Sequence, residues 1–290
     1  MMVRVSILLF GFVFMVPAVV QAQAQAATME TSRGVALGTG VRASALSGAA
    51  LLYNAASMPL ARTYHIEGTS SYEPQAGRLS VMAAAVDSML NEHFSAGLAA
   101  RAIFSDGEQG YSGFDGRVGV AVPIADVVGI GLAGRYVNLS GEGVPAGEED
   151  TAPDGFTMDA SLRVSLAKVF HISGMIYNFI DLESALAPIT VGGSASVQLM
   201  ESLTFGGDVL FDLTTYDSAQ SQIGGGVEYL ANGAIPIRAG YFYDAGLEVH
   251  ALSGGLGYVS RTIGVEVALR QQISGENDTF VMMTLRYFVY

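Results

Sequence analysis

Arg101, Arg135 and Arg163 are the side chains whose type and placement best suit chemistry, and that chemistry is recognition. Each sits on the polar face of a segment that alternates apolar and polar residues. A guanidinium grips a carboxylate with two parallel hydrogen bonds, so a ligand carboxylate is one partner for the three. The same polar faces carry Arg117, Asp159, Asp208, Asp212, Glu228, Arg238, Glu266, Arg270 and Arg286. An internal ionic network that fixes strand register is the other reading of these charges. His65, His93, His171 and His250 lie on separate segments without an H-x-x-x-H spacing. Glu148-Glu149-Asp150 lacks the glycine and ligand spacing of a calcium loop, so no metal is expected. Neither a Ser/His/Asp set nor a glycine-rich phosphate loop with its Lys-Ser/Thr is visible. The chain is therefore expected to use no cofactor and to be no enzyme.

The elements that position these arginines must suit an unusual composition. The 290 residues are 50% apolar and only 14% charged, with a formal charge of −13, 36 glycines and no Cys or Trp. An acidic chain of this kind is no nucleic-acid binder. Without cysteine it holds neither disulfides nor a thiolate zinc site. A mean hydropathy of +0.39 excludes disorder and points toward a membrane.

Residues 1–26 have the form of a cleaved secretory signal peptide. Arg4 precedes the apolar run Val5–Val16, Pro17 follows, and Ala22-Gln23-Ala24-Gln25-Ala26 offers cleavage after Ala24 or Ala26. Beyond residue 26 no run approaches the ~20 apolar residues of a membrane helix. The hydropathy is spread over short alternating segments, which belong to a soluble sandwich or to a membrane barrel.

The alternation favours the barrel. In 156–167, Phe156, Met158, Ala160, Leu162, Val164 and Leu166 share one face; Thr157, Asp159, Ser161, Arg163 and Ser165 share the other. The same pattern predicts strands near 63–72, 77–88, 93–104, 114–122, 128–139, 155–168, 172–180, 188–199, 203–213, 220–230, 235–243, 248–259, 262–272 and 279–289. Fourteen is an even number, and most spans exceed the ~5–6 residues of ordinary globular strands. The expected fold is all-β, a 14-stranded antiparallel transmembrane β-barrel over residues 63–290.

The connections carry a second signal. The odd-numbered ones hold 14 of the 27 acids and no Lys or Arg, whereas the even-numbered ones are mostly tight turns. That matches a Gram-negative outer membrane with acidic external loops, short periplasmic turns, and both termini in the periplasm. The last strand, with Leu285-Arg286-Tyr287-Phe288 near its end, resembles the C-terminal insertion signal of outer-membrane barrels.

Residues 27–62 do not alternate and are too many for a simple tail, so they are expected to plug the lumen. They contain Gly38-Thr39-Gly40-Val41-Arg42-Ala43, then Ser47-Gly48-Ala49, then Tyr53-Asn54-Ala55-Ala56 and Met58-Pro59. This order resembles the N-terminal hatch of the FadL/TodX superfamily, and in size the chain is similar to its smaller PorV-like branch. That family's Asn-Pro-Ala reads Asn54-Ala55-Ala56 here, with Pro59 downstream. The resemblance implies a luminal hatch in which Arg42, Gly48, Asn54 and Pro59 take part. It implies passive uptake of a hydrophobic small molecule, of the fatty-acid or hydrocarbon class, through a hatch-gated lumen. It also implies a lateral exit into the membrane at strand three, where Gly97 with Ala96 and Ala99 is the matching site. The expected partners are outer-membrane lipids and this ligand. The PorV-like branch implies an alternative role, anchoring or presenting a secreted or periplasmic protein.

Overall fold

The structure, a computed structural model, describes residues 28–289 apart from 89–91, 107–109, 125–126, 142–151, 168 and 276. The signal-peptide reading and the Glu148-Glu149-Asp150 cluster lie outside the described residues. Fourteen strands follow one another: β1 Tyr64–Glu73, β2 Arg78–Asp87, β3 Ser95–Ser105, β4 Ser112–Ile124, β5 Val128–Ser140, β6 Asp154–Leu166 and β7 Phe170–Tyr177. The second half comprises β8 Thr190–Met200, β9 Leu203–Asp212, β10 Gln220–Ala231, β11 Ile235–Asp244, β12 Val249–Val259, β13 Ile263–Gln272 and β14 Thr279–Val289.

Every strand pairs antiparallel with its sequence neighbours, and β14 returns to β1 from Tyr64↔Val289 to Tyr72↔Val281. The sheet is a closed barrel, so the sandwich alternative is excluded. The alternation is the reason for closure. One face of every strand is apolar and the other small or charged, and a closed cylinder keeps the two apart without leaving an unpaired edge.

The outward face carries Leu98, Val118, Leu132, Leu162, Leu252 and Leu285, all more than 40% exposed. Aromatic rings gather at its two rims. Phe94, Phe170, Phe205, Tyr229, Tyr258 and Tyr287 lie toward the near end, where β1 begins and β14 finishes. Tyr72, Phe104, Phe114, Tyr136, Phe156 and Phe211 lie toward the far end. An apolar belt between two aromatic girdles is the surface that a bilayer and its headgroup layers solvate.

The largest departure from the expected strands is β7, which ends at Tyr177 rather than at residue 180. Asn178 takes a left-handed φ of 51°, which breaks the ladder and turns the chain into the barrel.

Candidate functional site

Inside the barrel the described chain begins with the segment 28–62. It folds as two short helices, α1 (Ser32–Ala36) and α2 (Gly48–Tyr53), with 3-10 turns at Arg42–Ser44 and Ala55–Leu60. Its path circles the inner wall. Helix α1 packs on β11–β14, the first turn on β7–β9, α2 on β2–β4, and the second turn on β3–β6. The wall is cut to fit. A Cβ added at Gly129 or Gly131 would strike the backbone of Ala55 and Ala56, and one at Gly224 the carbonyl of Gly38. Gly38 itself has φ +57° and lies against the Tyr241 backbone, so it needs both the left-handed conformation and the missing side chain.

Polar contacts hold the segment. Arg42 pairs with Asp208 at 2.7 Å, Arg33 with Glu228 at 3.0 Å, and Glu30 with Arg270 at 2.9 Å. Ser32 shares a hydrogen bond of 2.8 Å with Thr284, and the amides of Ala43 and Ala56 donate to Ser194 and Ser161. Arg117 donates to the Leu52 carbonyl, and Tyr177 to that of Tyr53. Burial, reinforced by Glu30, holds the Tyr53 phenol well above its ordinary pKa. The phenol therefore stays neutral, and its oxygen accepts from the Thr31 amide at 3.2 Å.

The four residues that the hatch resemblance singled out all belong to this layer. Arg42 also donates to the Tyr177 hydroxyl at 2.9 Å. Gly48 opens α2 so close to the Glu67 carboxylate that a side chain there would collide with it. Asn54 donates to the Arg42 carbonyl at 2.8 Å and to Ser173 at 2.9 Å. Pro59 lies in the second turn and borders the near-end mouth. Thr28, the first described residue, accepts from Arg101 at 2.7 Å and borders a pocket with Glu73 and Arg78. The described part of the segment thus starts in the far half of the lumen. The reason is that its first residues are drawn toward Arg101 and Arg270.

The three arginines part company. Arg101 and Arg135 converge on Asp115, at 2.9 and 2.7 Å, and Asp115 is fully buried. Arg117 meets Asp159 at 2.8 Å. On the opposite wall Arg238 joins Glu228 to Glu266, and Arg286 meets Glu67 at 2.7 Å. Of the three arginines expected near one ligand carboxylate, Arg101 and Arg135 share the Asp115 carboxylate, and Arg163 stands apart from them. Asp115 and Glu67 were passed over in the sequence, although each stands on the inward parity of its strand. Arg163 lies toward the near end, 4% exposed, and among the described residues its side chain meets Ser165 and, at 3.5 Å, His171.

Gly97, where a lateral opening was expected, lies in an unshifted stretch of the wall. The β2–β3 ladder runs from Arg78↔Ser105 to Asp87↔Ala96, and the β3–β4 ladder from Ser95↔Ala121 to Ile103↔Gly113, both without a shift. Gly97 points inward, against Val86 and Leu51 of α2, so its missing side chain makes room for the segment rather than a kink. The one register shift among the paired strands falls between Gln198 and Met200, at the near end of β8.

A second closure comes from the connection 178–189. Its Leu186 is fully buried with Ile103, Tyr111, Val137 and Leu139 on the inner wall. Asn178 accepts from Arg135 and donates to the Pro188 carbonyl at 2.9 Å, and Thr157 donates to the Ile180 carbonyl. The signal was legible as Leu182, Leu186 and Pro188 inside an otherwise acidic loop. Between this loop and the segment lies a chamber of about 70 Å³, lined by Met29, Leu52, Leu186, Leu210, Phe242 and Tyr177 among others. The near-end mouth is a vestibule of about 600 Å³.

No family model matches the sequence, and no curated protein matches it. Solved structures do. The Acinetobacter baumannii outer membrane protein Omp33 is similar at 9% identity over 79% of this chain and 99% of that one, with a TM-score of 0.51. A Rhodopseudomonas blastica porin variant is similar at 11% identity, over 78% and 99%, with a TM-score of 0.45. The KdgM porin is similar at 7% identity, over 78% and 99%, with a TM-score of 0.44. At such identities the likeness to Omp33 is one of fold.

Proposed function

We propose that this chain is an outer-membrane barrel that passively carries a small hydrophobic molecule, with residues 28–62 as the hatch that gates its lumen. The carrying observation is the pair of obstructions in one lumen. The far mouth is covered by the loop 178–189, and the interior is filled by the N-terminal segment, leaving a chamber of about 70 Å³. A chamber of that size is no continuous passage, so a solute crosses only when an obstruction moves. The segment suits movement. It holds the wall through ion pairs and hydrogen bonds from separate helices and turns, each of which can be exchanged for water. The chamber offers Leu52, Leu186, Leu210 and Phe242 to an apolar solute.

The apolar belt and its two girdles support the reading that outer-membrane lipid surrounds the barrel. The acidic far-end connections support reading that end as the cell exterior. Since strand three is continuous, the solute's route leads through the near-end vestibule toward the periplasm. The test is a swelling and single-channel assay in liposomes, comparing the full chain with a variant lacking 28–62. The full chain should conduct small ions weakly and the deletion should form a steady, large pore. Equal conductance would remove the segment from the gate.

The filled lumen also favours the second reading, in which the barrel anchors or presents a secreted or periplasmic protein. A partner recovered by in-cell crosslinking, together with unchanged uptake of octane and octanoate in cells lacking the chain, would establish that role instead.

A further inference from the structure

Arg163 is the exception among the buried arginines. Among the described residues, Arg33, Arg42, Arg101, Arg117, Arg135, Arg238, Arg270 and Arg286 each meet a carboxylate within ion-pair distance. Arg163 meets none, yet it is 4% exposed and its Nε has no hydrogen-bond partner. A buried guanidinium without a counter-charge is costly to maintain. Nothing in the register of β6 requires one at this position, since Ser161 and Ser165 serve the same face with small neutral groups.

Its surroundings are built toward the near-end vestibule. Ser165 accepts from Arg163 and lies 2.8 Å from Nδ1 of His171, whose ring stands 3.5 Å from the guanidinium. This trio holds the side chain in one orientation on the wall of the cavity of about 600 Å³ that Arg163 borders. Arg62 adds a second positive charge at the rim, and Leu60, Pro123 and Leu230 supply apolar wall.

We propose that Arg163, positioned by Ser165 and His171, is an anion site that receives the carboxylate or phosphate head of a small amphiphile in the near-end vestibule. The charged head meets the unpaired guanidinium, and the apolar body lies along the wall formed by Leu60, Pro123 and Leu230. This deepens the transport reading by naming the acidic end of the solute. The binding itself does not require that the barrel conduct.

The purified full chain in a neutral detergent can be titrated with four water-soluble probes: hexanoate, hexyl phosphate, hexan-1-ol and acetate. The wild type should bind hexanoate or hexyl phosphate at least about tenfold more tightly than hexan-1-ol, the loss expected for a charge-assisted hydrogen-bond pair. Preference for hexanoate identifies a free carboxylate as the source, and preference for hexyl phosphate a lipid-like headgroup. Arg163→Gln should reduce the anion to the affinity of the alcohol, and Arg163→Lys should restore part of the difference. Ser165→Asp supplies the missing carboxylate beside Arg163 without leaving a buried charge unpaired. It should fold as the wild type does, by heat-modifiable gel migration, and lose anion binding. Wild-type anion affinity in folded Ser165→Asp or Arg163→Gln would overturn the proposal. So would equal binding of hexanoate and hexan-1-ol by the wild type, or binding of acetate as tight as that of hexanoate. None of these outcomes depends on the liposome assay, so a failed site and a failed gate are told apart.

Discussion

The two mouths of the barrel are closed on different terms. At the far end charge is balanced within the wall and sealed by apolar packing. Asp115 satisfies Arg101 and Arg135, and Leu186 of the inturned loop fills the space above them. At the near end the wall keeps a wide vestibule, a register shift between Gln198 and Met200, and an arginine that pairs with no acid among the described residues. The difference teaches that the lumen is not a uniformly plugged cylinder. Its far half is closed by paired charge and apolar packing. Its near half is built to be solvated.

That contrast can be broken most severely at Asp115. Asp115→Asn leaves two buried guanidinium groups with one neutral partner and should cost about 3–5 kcal/mol. The urea midpoint in lipid vesicles would report it, and an unchanged midpoint would show that the far-end charges are solvated after all. Leu186→Ala comes next. It removes the apolar seal at about 2–3 kcal/mol, the lower part of the range for buried leucines, because a loop can settle into the space. Its sharper signature is a rise in small-ion conductance. Gly224→Ala places a methyl against the Gly38 carbonyl, so the segment must shift, at about 1–3 kcal/mol. Faster proteolysis within residues 28–62 would follow, with the barrel itself intact. The smallest effect belongs to the near end. Leu46→Ser, at a residue 39% exposed beside the vestibule, should change stability by less than about 0.5 kcal/mol. A large loss there would mean that the vestibule is packed rather than open.

The strands were legible because a barrel wall imposes a strict period of two on every crossing, and no crossing could hide from it. All fourteen stand within three residues of their expected bounds, and the inward charges from Arg101 to Arg286 face inward. The pairing of those charges was less legible. Inward parity tells which side a residue faces but not the height at which strands align, and Asp115 meets Arg101 and Arg135 only through the β3–β4–β5 register. The end of β7 was missed because the apolar Phe179-Ile180 prolongs the hydrophobic run past the point where Asn178 turns the backbone. Gly97 misled for a related reason. A glycine in a strand signals that something needs space, and here the something is Leu51 of the segment rather than a break in the ladder.

The seam between β1 and β14 has a consequence for how the molecule comes into being. Glu67 and Arg286 form an ion pair across 219 positions of sequence, and theirs is one of the nine residue pairs that make up the ladder. Until the last strand is available, both borders of the sheet expose unsatisfied amides and carbonyls that lipid does not accommodate. Contacts of such long range are also formed slowly. The barrel therefore matures as an all-or-none closure, and a chain stopped before β14 should be left as an open, aggregation-prone sheet rather than as a smaller working pore.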